Sequence, residues 1–432
     1  MRYLLVFILM SAVAGCGTAP ASIALTSLPT QTAPAATPTT APSPAPTLIA
    51  QERPMMTLTL WLPEPLAPLD NARAAALRAM WQESFAVLEP DVQVSIRVRR
   101  AADAGGILAT LRSASLVAPG ALPDLALLRR ADLTTAVATG LIQPLPPTIS
   151  AIDDDLHPAV IALGTVDGVR YGLPYTLDAL HLAYLPETDA PPTTLSWRFE
   201  DVLARDQHFV FPAGRAAPLN DTLLAQYRAA SAIYAGNGLS FDPDGLRSVL
   251  TFYDEAAHAG IIPPEVPTYS ASGDYLTRIT GEERAVGVMS STPFLAQRAQ
   301  GVALAFAPLP THDGSLTTII DGWMWVLTTT DSARQANALR WLDWIYEIER
   351  HNDYVETIAM LPSGRSGLRQ YIDTDYALFV ETLLDRASLP LSETGAGALA
   401  RAIQSALIAV LQGQRSAAQA VDDVAAIAAP AS

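Results

Sequence analysis

Between Met56 and Leu145 strand-like and helix-like stretches alternate, and this alternation restricts the possible folds more than any other feature of the chain. Met56 to Trp61 reads as a short strand, and Pro63, Pro65 and Pro68 make the loop after it. Asp70 or Asn71 is placed to cap a helix whose apolar face is Leu77, Trp81, Phe85 and Leu88. Val92, Val94, Ile96 and Val98 then alternate with Gln93, Ser95 and Arg97, the period of a half-buried strand. A helix from Asp103 to about Val117 follows, then the apolar run Leu125 to Leu128 and a short helix ended by Gly140. Strands that alternate with helices build βαβ units and a mostly parallel sheet, so the class is α/β.

The rest of the chain repeats this style less regularly. A helix carrying Leu246, Val249, Leu250 and Tyr253 stops at Gly260. Ala285 to Met289 is a strand leading to a helix start at Thr292-Pro293-Phe294, and Val302 to Phe306 is another strand. Asp331 caps a helix with Leu342, Ile345 and Ile348, and two more helices close the chain. At 432 residues there is material for two or three domains. A net charge of −16 excludes nucleic acid as a partner, since phosphate contacts need a basic surface. Every basic residue is Arg, which removes Schiff-base and P-loop lysine chemistry.

One stretch concentrates ligand-binding residue types. Ile319 to Val326 holds Trp323 and Trp325 beside Asp321-Gly322. Asp-Gly is a turn signal, because glycine accepts positive φ and aspartate bonds its own backbone. A broad indole beside a turning backbone suits a sugar-sized solute; spacing i, i+2 equally suits a strand face turned to the core. Catalytic patterns are missing: the six histidines show no HExxH spacing, and neither GxSxG nor a phosphate-binding glycine loop occurs. His157 behind Asp153-Asp154-Asp155 reads as a solvated turn before it reads as a metal site. A carboxylate pair for glycoside cleavage is assembled in space and stays open at this point.

The amino terminus is read as a leader. Arg2, the apolar run Tyr3 to Met10 and the small residues before Cys16 form a secretory signal over 1–15, too short for a stable span. Val13-Ala14-Gly15-Cys16 resembles the bacterial lipobox, which implies cleavage before Cys16 and lipid attachment to it. Residues 16–53 are Ala-, Pro- and Thr-rich with no charge from Gly17 to Gln51, a tether that cannot bury enough apolar area to fold. With the single cysteine used there, the exported part holds no disulfide.

Further landmarks fall in a recognisable order. They include Leu58-Thr59-Leu60-Trp61, Leu122-Pro123-Asp124-Leu125, Tyr171-Gly172-Leu173-Pro174, Ala307-Pro308-Leu309-Pro310, Asp321-Gly322-Trp323 and Leu361-Pro362-Ser363. In this order the chain, over roughly 55 to 428, resembles the extracellular solute-binding proteins of sugar ABC transporters, the group that includes maltose-binding protein. The resemblance implies a two-lobe periplasmic-binding-protein-like α/β fold with discontinuous lobes, 54–172 with 307–369 and 173–306 with 370–432, joined by hinge strands. It implies a monomer at the outer face of the cytoplasmic membrane that needs no cofactor or metal, captures a carbohydrate between the lobes and delivers it to an ABC permease. The alternatives are a non-sugar solute such as a polyamine or peptide, and a surface polysaccharide-active enzyme. The expected ligand residues are Trp61, Glu64, Tyr175, Asp178, Phe294, Asp321, Trp323 and Arg365. For the aromatic residues the rival is core packing, for Asp178 and Asp321 capping and turn chemistry, and for Glu64 and Arg365 plain solvation.

Overall fold

The computed structural model describes residues 55–186, 196–215, 219–232, 238–281, 283, 285–391 and 397–428. Cys16, the leader and the tether lie outside the described residues. Among those described, no helix is long and apolar enough to cross a membrane.

The alternating first quarter of the chain builds the sheet it predicts. Met56–Pro63 lies between Val92–Arg99 and Leu125–Arg129, all parallel. Trp323–Leu327 then pairs antiparallel with Leu125–Arg129, and Gly172–Pro174 closes the edge. Leu125 to Leu128 are fully buried, as a strand covered on both faces requires. Asn71 caps the helix Ala72–Leu88 by accepting from the Ala74 amide at 2.9 Å. That helix presses Trp81 and Phe85 against Trp341 and Tyr354 from Ser332–Ile345 and Ile348–Thr357, with the Trp81 and Tyr354 rings 4.2 Å apart. Leu88, expected on this face, sits one step beyond it and is exposed. The next helix starts at Ile107 and not at Asp103, because Asp103 (φ 63°) and Gly105 (φ 87°) take left-handed conformations that end helical hydrogen bonding.

The second sheet is organised on Thr176–Tyr184, which pairs antiparallel with Thr318–Asp321, Val286–Ser290, Ala305–Ala307 and Leu361–Pro362. Phe209–Val210 and Ala387–Ser388 extend its edges. Pro243–His258 buries Leu246, Val249, Leu250 and Tyr253 as the spacing predicts. Thr318–Asp321 belongs to this sheet, so the first part of 307–369, expected in the first lobe, pairs with the second; the exchange falls at Gly322.

Two adjacent strands therefore cross from one sheet to the other, at Tyr175 and at Gly322. The crossings are tied together: the Tyr175 amide donates to the Trp323 carbonyl at 2.7 Å, and the Trp323 amide donates to the Thr176 hydroxyl at 3.1 Å. Gly322 is not a turn glycine and has no positive φ. A Cβ there would sit 2.0 Å from the Thr176 carbonyl oxygen, so glycine is needed for close approach of two backbones. Gly322→Ala is expected to cost about 2 kcal/mol or more in urea denaturation, because backbone rather than a flexible side chain must shift.

Two histidines are buried in these layers. His181 donates from Nδ1 to the Leu182 carbonyl, so Nε2 is the acceptor for the Tyr376 hydroxyl at 2.8 Å. His351 bonds the Tyr175 carbonyl through Nε2 at 2.6 Å and stacks on the Tyr175 ring. Burial lowers both imidazoles from 6.5 to about 4. A depressed histidine stays neutral in the fold while the unfolded chain takes up a proton, so this contribution to stability falls as pH drops from about 6.5 to about 4. An NMR titration is expected to show two imidazoles that remain neutral to about pH 4.

Candidate functional site

Arg129 is the residue around which the site is built. It follows four buried leucine and alanine positions at the carboxyl end of a parallel strand, where the helix Arg130–Ala138 begins. In open α/β sheets ligands bind beyond such strand ends. The same register that pairs Arg129 with Trp323 lays its guanidinium over the indole, 5.7 Å from the ring centroid.

Asp178 and Asp321 face each other directly across the crossing strands. Like charges at opposed positions repel, and Arg129 relieves the repulsion: its Nη2 lies 2.7 Å from Asp321 and 3.6 Å from Asp178. Asp178 also accepts from the Thr292 amide at 2.9 Å, and Asp321 from its neighbour Gly322 at 2.8 Å, the own-backbone bond expected of Asp-Gly. Burial raises the Asp178 carboxyl above its usual range, with Arg129 and the Thr292 amide opposing and Asp321 reinforcing. The Asp321 charge, with Asp178 adding to it, holds the Arg129 guanidinium more firmly protonated.

The opposite wall comes from the second lobe. Asp221, the first residue of the helix Asp221–Ala230, pairs with Arg215 at 2.8 Å, and burial raises its carboxyl. Asp321 and Arg129 act on Asp221 through space, which places all five charged groups in one electrostatic neighbourhood. Together with Arg130 they line a cleft of about 460 Å³ whose other walls include Ser270, Ser290, Leu180, Met289, Pro212 and Pro390. Arg130 is tied back by donating to the Leu163 and Thr165 carbonyls at 2.8 and 2.6 Å. A groove of similar volume, about 470 Å³, runs between the last two helices; its charged groups include Arg415 and Asp423, which pair with each other at 3.0 Å on the surface. Among the described residues no cluster of potential metal ligands occurs.

Of the eight residues expected from sequence, Asp178 and Asp321 line this cleft. Trp323 lies beneath Arg129, 7% exposed, and does not itself line the cleft. The other three rings are core. Trp61 is 2% exposed, because its side of the Met56–Pro63 strand faces the layer in which Arg99 covers the indole. Tyr175 turns into the first lobe, between His351 and Trp325. Phe294 turns into the second, stacked on Tyr376 at 4.6 Å. Glu64 is exposed in a one-turn helix, and Arg365 opens the helix Arg365–Arg369 with its amide on the Asp155 carbonyl; neither lines the cleft. Arg129, Arg215 and Asp221 were not singled out from sequence. The signal for Arg129 was its place straight after a wholly apolar strand and at a helix start.

Two α/β lobes joined by crossing strands, with a polar cleft between them, define a protein that binds a small solute. A family model for bacterial extracellular solute-binding proteins matches residues 86–368, more than half of the chain, and the chain belongs to this family. It is a binding protein and not an enzyme. Among solved structures it is similar to the cyclic α-maltosyl-1,6-maltose binding protein of Arthrobacter globiformis (16% identity, TM-score 0.66, covering 86% of this chain and 98% of that one). It is similar also to the sugar-binding protein MalE of Xanthomonas citri (18%, 0.66, 86% and 96%) and to a solute-binding protein of Thermotoga lettingae bound with α-D-tagatose (17%, 0.65, 86% and 98%). These likenesses establish the fold. No curated protein sequence matches the chain.

Arg129→Met leaves Asp178 and Asp321 opposed with no cation between them. The variant is expected to melt below the wild type at pH 7. The gap should narrow as pH is lowered, because protonating an already raised Asp178 removes the repulsion.

Proposed function

We propose that the protein captures a carbohydrate in this cleft and delivers it to an ABC permease. The observation that carries this reading is the balance of the cleft's charges: Arg129, Arg130 and Arg215 against Asp178, Asp221 and Asp321. A sugar hydroxyl donates and accepts at once, so an uncharged polyol suits alternating guanidinium donors and carboxylate acceptors. A polyamine would need an excess of carboxylates and an anion an excess of arginines. The structural relatives whose names state a ligand bind sugars, which supports the same class.

In this reading Asp178 and Asp321 accept hydrogen bonds from the solute and Arg129 and Arg215 donate to it, while Trp323 packs beneath Arg129 without touching the solute. Binding bridges the lobes and favours a closed form that the permease distinguishes from the open one. The leader is cleaved at residues 15–16, Cys16 carries lipid, and residues 16–53 tether the monomer to the outer face of the cytoplasmic membrane.

Calorimetric titration with mono- and oligosaccharides tests the capture step, and at least one sugar is expected to bind with a single site. In that complex Asp178→Asn and Asp321→Asn should each weaken affinity about tenfold to a hundredfold, since hydrogen bonds to charged groups contribute roughly 1.5–3 kcal/mol. Heat from a polyamine or peptide and none from any sugar would select the non-sugar alternative. Cys16→Ser is expected to release the protein from the membrane fraction; retention of the variant there would contradict lipid anchoring.

A further inference from the structure

The carbohydrate reading leaves open how much of a saccharide the cleft holds, and the placement of the aromatic rings bears on that. Long sugar chains are gripped by stacking successive ring faces on exposed aromatic side chains, because each sugar face is an apolar patch too weakly directional for hydrogen bonds alone. Among the described residues this cleft offers no such platform. Trp61, Tyr175 and Phe294 are 2% exposed or less, each packed within a lobe. Trp323 is 7% exposed and is not among the lining residues, and the Arg129 guanidinium, held by Asp321 and Asp178, lies 5.7 Å from its ring centroid.

Among the described lining residues Tyr275 is the one aromatic. It is fully buried, packs on Tyr269 at 5.5 Å, and its hydroxyl donates to the Val288 carbonyl. The stretches next to Arg215 and Leu391, residues 216–218 and 392–396, contain no aromatic residue in sequence. The polar groups, by contrast, are crowded: Arg129, Asp178, Asp321, Arg215 and Asp221 share a space of about 460 Å³. That volume is toward the lower end of the roughly 300–1,000 Å³ usual for ligand sites.

We infer that the cleft takes a short saccharide of one or two rings, held at its hydroxyls by charged side chains and not by stacking. This rests on the carbohydrate reading of the same site. Third and later rings would lie beyond the charged cluster and find no aromatic face among the described lining residues, so they add contact with solvent and little affinity.

The test is calorimetry on the full chain with matched series: glucose, maltose and maltotetraose; mannose, mannobiose and mannotetraose; xylose, xylobiose and xylotetraose. In whichever series binds, affinity is expected to level off by the disaccharide, with the tetraose within about threefold of it. A tetraose about tenfold or more tighter than its disaccharide overturns the inference and leaves the carbohydrate reading standing. Silence across every series overturns both. A second measurement addresses the indole. Trp323→Phe, with melting temperature checked, is expected to keep affinity for the best ligand within about threefold, whereas a loss of about tenfold in a folded variant would reveal a stacked ring and contradict the proposal. If that variant does not fold, the chain-length series decides alone.

Discussion

Arg129 between Asp178 and Asp321 is the interaction on which the architecture of the cleft depends. Two carboxylates on directly opposed positions of adjacent strands are unstable alone. They become a site because the strand from the other sheet ends there and delivers a guanidinium 2.7 and 3.6 Å from them. One ion cluster thus does two things. It joins the terminus of a first-lobe strand to the strands that run into the second lobe, and it sets donors and acceptors at the base of the cleft.

The backbone beneath makes this placement repeatable. Tyr175 and Gly322 mark where two neighbouring strands leave one sheet for the other, and their hydrogen bonds to Trp323 and Thr176 lock the strands side by side. Because Gly322 has no side chain, the Thr176 carbonyl packs against it directly, which keeps Asp321 opposite Asp178. Two buried histidines tie the crossing to the helical layers: His181 on the Thr176–Tyr184 strand bonds Tyr376, and His351 on the Ile348–Thr357 helix bonds the Tyr175 carbonyl. The hinge region is thus short, densely bonded and continuous with both cores.

Much of the fold was legible in the chain. Strict alternation over Val92 to Val98 announced a strand, the apolar run from Leu125 to Leu128 marked another, and Asp70 or Asn71 and Asp331 announced helix starts that the amide hydrogen bonds of Asn71 and Asp331 realise. The site was less legible. Periodicity states that Trp323 and Trp325 share a face but not whether that face meets a core or a gap, and Arg129 decides the matter for Trp323 by covering it. Trp61, Tyr175 and Phe294 were drawn inward by ring partners supplied from distant segments, Arg99, His351 and Tyr376, that no local pattern predicts. Asp178 was found through the resemblance to sugar-binding relatives and Asp321 through the Asp-Gly turn beside Trp323, both being carboxylates suited to accept from hydroxyls. Arg215 and Asp221 come from a separate part of the second lobe and are assembled only in space.

In the proposed complex the solute is held between Arg129 of the first lobe and the carboxylates of the crossing strands and the second lobe. The most direct measurement is a crystal structure of the complex with the tightest-binding solute. Ligand oxygen atoms are expected within hydrogen-bonding distance of Arg129 and of at least one of Asp178, Asp221 and Asp321, with Arg129 still lying over the Trp323 indole. A ligand seated outside this cleft, or a sugar ring stacked on Trp323 with Arg129 swung away, would contradict it.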